Sequence, residues 1–189
     1  MYKGPVIKFA LLTLLSIGIF LGSTTELQAQ KRYRVSYKSE GFSPILEGAF
    51  RIPSNIYSTG YGLNRTLGYQ YNPYIYAGIG TSLDAYDSDF YLPAFVDVRY
   101  FFVDGQFSPY FFVDAGYGFP IDVNEDLGAG LMVNPGVGAR YYVTRTVAFV
   151  ASLGYRYQSM PVDQIDVNGA ISTRPNYIQS FTIRLGLQF

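Results

Sequence analysis

Residues 177–189 read Y-I-Q-S-F-T-I-R-L-G-L-Q-F, and their pattern decides how the rest of the chain is read. From position 181 onward, Phe181, Ile183, Leu185, Leu187 and Phe189 alternate with Thr182, Arg184, Gly186 and Gln188. An apolar residue at every second position describes a β-strand with one greasy face and one polar face. A strand of a soluble sandwich can show this alternation too, but the length of the segment and the charge on its polar face are unusual. A tilted strand needs about 9–11 residues to cross a bilayer. The fold therefore turns on whether other segments repeat the design.

Seven do. Strands are predicted over residues 44–52, 62–71, 74–85, 91–102, 109–119, 129–143 and 146–158, with 177–189 as the eighth. In the fourth, Leu92, Ala94, Val96, Val98, Tyr100 and Phe102 oppose Phe95, Asp97, Arg99 and Phe101. In the seventh, Val147, Phe149, Ala151, Leu153, Tyr155 and Tyr157 oppose Ser152, Gly154, Arg156 and Gln158. The second breaks ranks: Arg65 falls on its apolar side, a position that fits only near a rim. Tight turns are expected at Asn72-Pro73, at Asp104-Gly105, a hairpin pair, and at Thr144-Arg145. Longer connections are expected after the first, third, fifth and seventh strands, the longest over 160–176 with Asn168-Gly169 in it. Residues 31–43 are a basic, polar lead-in that either joins the first strand or precedes it.

An even number of strands, alternating short and long connections and aromatic-flanked apolar faces predict an all-β, eight-stranded antiparallel up-and-down transmembrane β-barrel. In lipid the apolar faces turn outward and the polar faces line the lumen. The predicted lumenal charge network is Glu47, Arg51, Asp97, Arg99, Asp114, Arg140, Arg156 and Arg184. Eight strands leave an interior just wide enough for side chains to fill, so glycines such as Gly68, Gly78, Gly136 and Gly154 make room among them. Buried charges without partners are costly, so the arginines are expected to pair with the acids. Tyr71, Tyr74, Tyr100, Phe102, Phe107, Tyr110, Tyr141 and Tyr142 cluster near the tight turns and are expected to form an aromatic girdle there. A lipocalin-like soluble barrel is the competing architecture, and its interior would be apolar instead.

Composition narrows the chemistry. The chain of 189 residues has Lys+Arg 14 against Asp+Glu 14, which leaves no electrostatic footprint for nucleic acid. Tyr 19, Phe 15 and Gly 20 suit β-structure. With Cys 0 and His 0 there is no disulfide, no lipidated cysteine, no Cys/His zinc site and no histidine base. Residues 1–29 form a separate unit, expected to be a secretory signal peptide. Lys3 and Lys8 supply its positive start, residues 9–21 its apolar core, and cleavage is expected after Ala29. Residues 30–189 then constitute the barrel.

With strands and faces assigned, the chain resembles the small single-domain outer-membrane β-barrels of Gram-negative bacteria, OmpA-like barrels of Bacteroidetes-type organisms in particular. The resemblance is carried by L-P-A-F-V-D-V-R-Y-F-F (92–102), S-P-Y-F-F-V-D-A-G-Y (108–117), N-P-G-V-G-A-R-Y (134–141), L-G-Y-R-Y-Q (153–158) and the final strand. It implies integral residence in the bacterial outer membrane, among lipid and lipopolysaccharide. It also implies that Phe189, as the terminal aromatic, is part of an assembly signal read by the barrel-assembly machinery. No peptidoglycan-binding segment is expected after the barrel.

The remaining motifs are weak. Enzymatic barrels of this size class use a histidine beside a serine or aspartate, and none exists here, so no catalytic residue and no cofactor are expected. Asp122, Asn124, Asp126 and Gly128 resemble the opening of a calcium loop, but the glycine comes one place late and Val133 stands at the twelfth position. No metal is expected there, and Asp84, Asp87 and Asp89 are read as loop-solubilising acids. Asn64-Arg65-Thr66 matches a glycosylation sequon by chance. Gly78-Ile79-Gly80 lies mid-strand without the following helix a phosphate cradle needs. The expected role is structural or interactive, with a polar, largely side-chain-filled lumen and outward loops whose partners are unknown. The alternative is a narrow pore or transporter for small solutes or hydrophobic molecules, with a weak anion preference from the excess of lumenal arginine.

Overall fold

The computed structural model describes residues 37–54, 59–86, 89–121, 129–165, 171–174 and 177–189, with backbone alone at 89, 162–165 and 171–174. The signal-peptide segment, the calcium-like stretch, Asp87 and Asn168-Gly169 lie outside the described residues. The described residues form eleven strands: β1 (Gly41–Phe42), β2 (Ile45–Pro53), β3 (Gly60–Gln70), β4 (Ile75–Tyr86), β5 (Asp89–Phe101), β6 (Phe107–Pro120), β7 (Gly130–Tyr142), β8 (Ala148–Ser159), β9 (Val162–Ile165), β10 (Ile171–Arg174) and β11 (Tyr177–Gln188).

Strands β2 to β8 and β11 each pair antiparallel with their chain neighbours, and β11 returns to pair with β2, closing an eight-stranded up-and-down barrel. Closure is why alternating segments can all bury their polar face at once: the barrel has no edge, so each of its eight strands has two hydrogen-bonded neighbours. The closure is staggered. Gly68 accepts the Ser43 N–H. From Gly68 the ladder crosses Gly78, Asp97, Asp114 and Asn134 to Arg156, then Ser180, and meets the first strand again at Pro53, ten residues beyond Ser43. A stagger of this kind tilts the strands by roughly 35–45°.

The strands begin and end within two residues of the sequence expectation, with three differences of interest. β1 pairs Gly41 with Gln70 and Phe42 with Tyr69, in the same register that β2 keeps when Ile45 faces Thr66. Residues 41–42 therefore continue the first strand, interrupted where Pro44 offers no N–H to the ladder. The long connection after β8 contains a hairpin of its own, β9 against β10. The connection after β4 is not one of the longer ones. Tyr86 pairs with Asp89, leaving two residues between the strands.

The end of the barrel that carries connections 71–74, 102–106 and 143–147 is called the turn end here, and the opposite end the loop end. Across the turn end runs the segment before β1: Tyr37 stacks on Tyr142 at 5.0 Å between ring centres, and the Tyr142 hydroxyl donates to the Lys38 carbonyl at 2.7 Å. Apart from Arg65 on β3, the middle of the outer wall is apolar, with Ile79, Leu153 and Leu185 between 59% and 68% exposed. A continuous exposed apolar band of this extent marks a surface that does not face water.

Two aromatic girdles bound that band. At the turn end stand Tyr69, Tyr71, Tyr74, Tyr100, Phe102, Phe107, Tyr141 and Phe149. At the loop end stand Phe50, Tyr61, Tyr117, Phe119, Tyr155 and Phe181. Two of the expected girdle residues do not belong to it: Tyr110 and Tyr142 are buried inside the barrel. Both are even-numbered on strands whose odd positions face out, so phase, not proximity to a turn, decides their side.

Candidate functional site in the barrel lumen

The inner faces of the eight strands meet in a packed interior arranged in layers. At the turn end, Ile45, Tyr76, Phe101, Tyr110, Phe112 and Val150 form an apolar cluster. Gly68 and Gly138 sit opposite the phenol ends of Tyr76 and Tyr110, where any side chain would collide with the rings. Arg140 lies in this layer, its guanidinium 3.7 Å from the centre of Phe101 and 4.8 Å from that of Tyr142, with Nη1 donating to Gln70 Oε1 at 3.1 Å. Cation–π contact and one hydrogen bond hold it; among the described residues it joins no ion pair.

The next layer is a five-membered charge cluster. Arg99 Nη2 pairs with Asp97 Oδ2 at 2.7 Å and with Glu47 Oε2 at 2.9 Å. Arg184 Nη1 reaches Asp114 Oδ2 at 2.9 Å and Glu47 Oε2 at 3.6 Å, so Glu47 links the two arginines. Asn134 Nδ2 donates to Asp114 Oδ2 at 2.9 Å, and Arg184 Nε to Ser152 Oγ at 3.1 Å. Arg184 also lies over Phe112 at 4.2 Å and Arg99 over Tyr110 at 5.3 Å, so aromatic faces of the turn-end cluster floor the charges.

A second cluster lies nearer the loop end. Asp84 stands between two arginines, 2.8 Å from Arg51 Nη2 through one oxygen and 2.7 Å from Arg156 Nη1 through the other. Ser82 donates to Asp84, and Arg156 to Gln158. Gly62 leaves the space that the Arg51 guanidinium occupies. Above this cluster Tyr86, Tyr91, Met160 and Ile178 form a second apolar layer. From turn end to loop end the order is thus aromatic, charged, charged, apolar.

All eight residues expected in the lumenal network lie on the inner face and are at most 2–3% exposed. Seven of them form ion pairs, and Arg140 stands apart. Asp84, read from sequence as a loop acid, is instead fully buried at 0% exposure and holds the loop-end cluster together. The signal was present in the alternation of Tyr76, Gly78, Gly80, Ser82 and Asp84. It was outweighed by the expectation of a long connection close behind. Among the described residues the lumen thus holds five arginines against four carboxylates. Tyr76, Phe101 and Phe112 were likewise not expected to matter, yet they form the floor.

Arg65 departs from expectation in the other direction. It is the sixth of the eleven residues of β3 and faces outward, so it sits halfway along the wall and not near a rim. Among the described residues no group of three or more acids is placed to hold a metal ion. Phe189 lies at the turn end, its carbonyl accepting from Ser43 Oγ at 2.8 Å and from Lys38 Nζ at 3.1 Å.

No protein-family model and no curated protein matches the sequence. Among solved structures, the chain is similar to the outer membrane protein OprG from Pseudomonas aeruginosa, with a TM-score of 0.56 at 12% identity over 82% of this chain and 97% of that one. It is similar to Neisserial surface protein A, with a TM-score of 0.53 at 16% identity over 78% and 94%. It is also similar to the outer membrane protein W of E. coli, with a TM-score of 0.53 at 17% identity over 80% and 100%. The chain has the fold of the integral β-barrels of bacterial outer membranes, with the apolar outside and charged inside that such a location requires.

Proposed function

We propose that this chain is a sealed outer-membrane barrel with a structural or interaction role, its polar, side-chain-filled lumen serving as scaffold and not as conduit. The observation that carries the reading is the layering of the interior: two ion-paired clusters lie between an aromatic floor and an apolar cap. A solute would have to part both clusters to pass, and separating buried ion pairs costs several kcal/mol each. Its surroundings are outer-membrane lipid and lipopolysaccharide, its insertion draws on the barrel-assembly machinery with Phe189 in the signal, and the loop end is offered to extracellular partners. Kinship with OmpA-like barrels of Bacteroidetes-type organisms belongs to the same reading, as does the absence of catalysis.

Planar-bilayer recording of the refolded protein tests it. The expected trace is free of discrete conductance steps at voltages that leave the membrane intact. Reproducible steps would overturn the sealed-barrel reading in favour of a narrow pore. Anion preference in those steps would identify the lumen as the path, because among the described residues its arginines outnumber its acids by one.

A further inference from the structure

Arg65 lies on the lipid side of the wall with a tyrosine girdle on either hand. Tyr61 and Tyr69 share its strand and its face, four residues to each side, or roughly 13 Å along the strand at about 3.3 Å per residue. That is farther than a guanidinium reaches, so Arg65 does not escape to the headgroups as arginines near the ends of a span do. No ion pair or hydrogen bond from its side chain to another described residue is present. A charge at this depth is expensive, and intramembrane charges mark functional sites.

Beside it the wall is hollowed. Arg65, Leu67, Ile79, Thr81, Ala94 and Ala115 line a groove of about 520 Å³ on the outer face. Its floor is low because Thr81 pairs with Ala94 across the ladder and Ala115 follows on β6, three small side chains among larger neighbours. Thr81 is also the direct cross-strand partner of Arg65, which puts a hydroxyl-bearing residue on the same outer face beside the arginine. The volume falls in the range of small-ligand sites, roughly 300–1,000 Å³, and suits one hydrocarbon chain rather than the several of a lipopolysaccharide.

We propose that this groove binds a long-chain fatty acid, its carboxylate paired with Arg65 beside Thr81 and its chain lying along Leu67, Ile79, Ala94 and Ala115. The counter-charge decides the occupant. A second copy of the chain does not supply it from its wall, because no described outward-facing side chain of the eight barrel strands is Asp or Glu. A phospholipid carries its phosphate on a glycerol with two chains, which keeps it at the girdle level. A fatty acid has one chain and a small planar head that arginine grips with two parallel hydrogen bonds. The site rests on the wall facing lipid and not on whether the lumen conducts. A heat-dependent gel shift of the refolded protein reports the barrel fold separately.

The test is electron paramagnetic resonance of the refolded protein in phosphatidylcholine vesicles, with stearate spin-labelled near its chain end as probe. A motionally restricted component is expected that palmitate displaces at least tenfold more effectively than hexadecanol, which has the same chain without the charge. Arg65→Gln is expected to weaken stearate binding at least tenfold, Arg65→Lys to recover part of it, and Ala94→Trp to abolish it with the arginine intact. Equal displacement by palmitate and hexadecanol overturns the proposal. So does undiminished binding to a folded Arg65→Gln variant. Equal restriction of spin-labelled phosphatidylglycerol would replace the fatty acid with a phospholipid and overturn it as well.

Discussion

Arg99→Met is expected to lower the folding stability of the barrel by about 3–5 kcal/mol, measured by urea-driven unfolding in lipid vesicles and followed by the gel shift. Arg99 contacts Asp97 at 2.7 Å and Glu47 at 2.9 Å, and none of the three is more than 1% exposed. Removing the guanidinium leaves both carboxylates in the interior. Among the described residues Glu47 keeps only Arg184 at 3.6 Å, and Asp97 keeps no ion pair. The cost arises from these stranded charges more than from the lost attraction, and a second substitution separates the two. Adding Asp97→Asn and Glu47→Gln to Arg99→Met removes the charges and is expected to restore much of the loss. Arg140→Met, by contrast, strands no carboxylate and is expected to cost less than Arg99→Met. An Arg99→Met barrel as stable as the parent would mean that the lumen is wet enough to solvate the acids, and the sealed interior would be wrong.

Leu185→Arg is expected to cost about 2–4 kcal/mol in the same assay, and Arg65→Leu to gain a comparable amount in zwitterionic lipid free of fatty acid. Leu185 is 65% exposed and lies four residues from Phe181 on one side and Phe189 on the other, so it occupies the middle of the apolar band. Arg65 occupies the matching place on β3 between Tyr61 and Tyr69. The opposite signs are the point of the pair. In water both positions would be exposed surface, where exchanging leucine and arginine changes stability by no more than about 0.5 kcal/mol. Two effects of similar size and opposite direction arise only if the wall contacts hydrocarbon.

The strands, their order and their faces were legible because alternation carries over directly from sequence to barrel wall. Once Leu92, Ala94, Val96 and Val98 face one way, Asp97 and Arg99 must face the other. The pair Asp97–Arg99 could even be read as neighbours, two residues apart on one face. Glu47 could not be matched to Arg99 and Arg184 in the same way, because those contacts cross the lumen and depend on the ten-residue stagger of the closed sheet. Asp84 falls on the polar face of the expected strand 74–85, and only the expectation of a long connection just beyond it makes it a loop acid; the two-residue connection after Tyr86 leaves it on the inner face. Nearness to turns suggests the girdle for Tyr110 and Tyr142, but phase decides their side and buries both. Alternation alone puts Arg65 on the outer face, but its depth follows only from where β3 begins and ends. The β9–β10 hairpin carries no alternation long enough to announce itself.

In each of the eight barrel strands one face meets lipid and the other meets the packed lumen. The chain has no tryptophan, so a single introduced indole reports its own surroundings. Leu153, 59% exposed at the middle of the outer wall, and Phe112, at 0% in the lumenal floor, are the two positions to compare. In vesicles of phosphatidylcholine brominated near the chain ends, Leu153→Trp emission is expected to be strongly quenched and Phe112→Trp emission nearly unchanged. Strong quenching at Phe112→Trp together with little at Leu153→Trp would contradict the account.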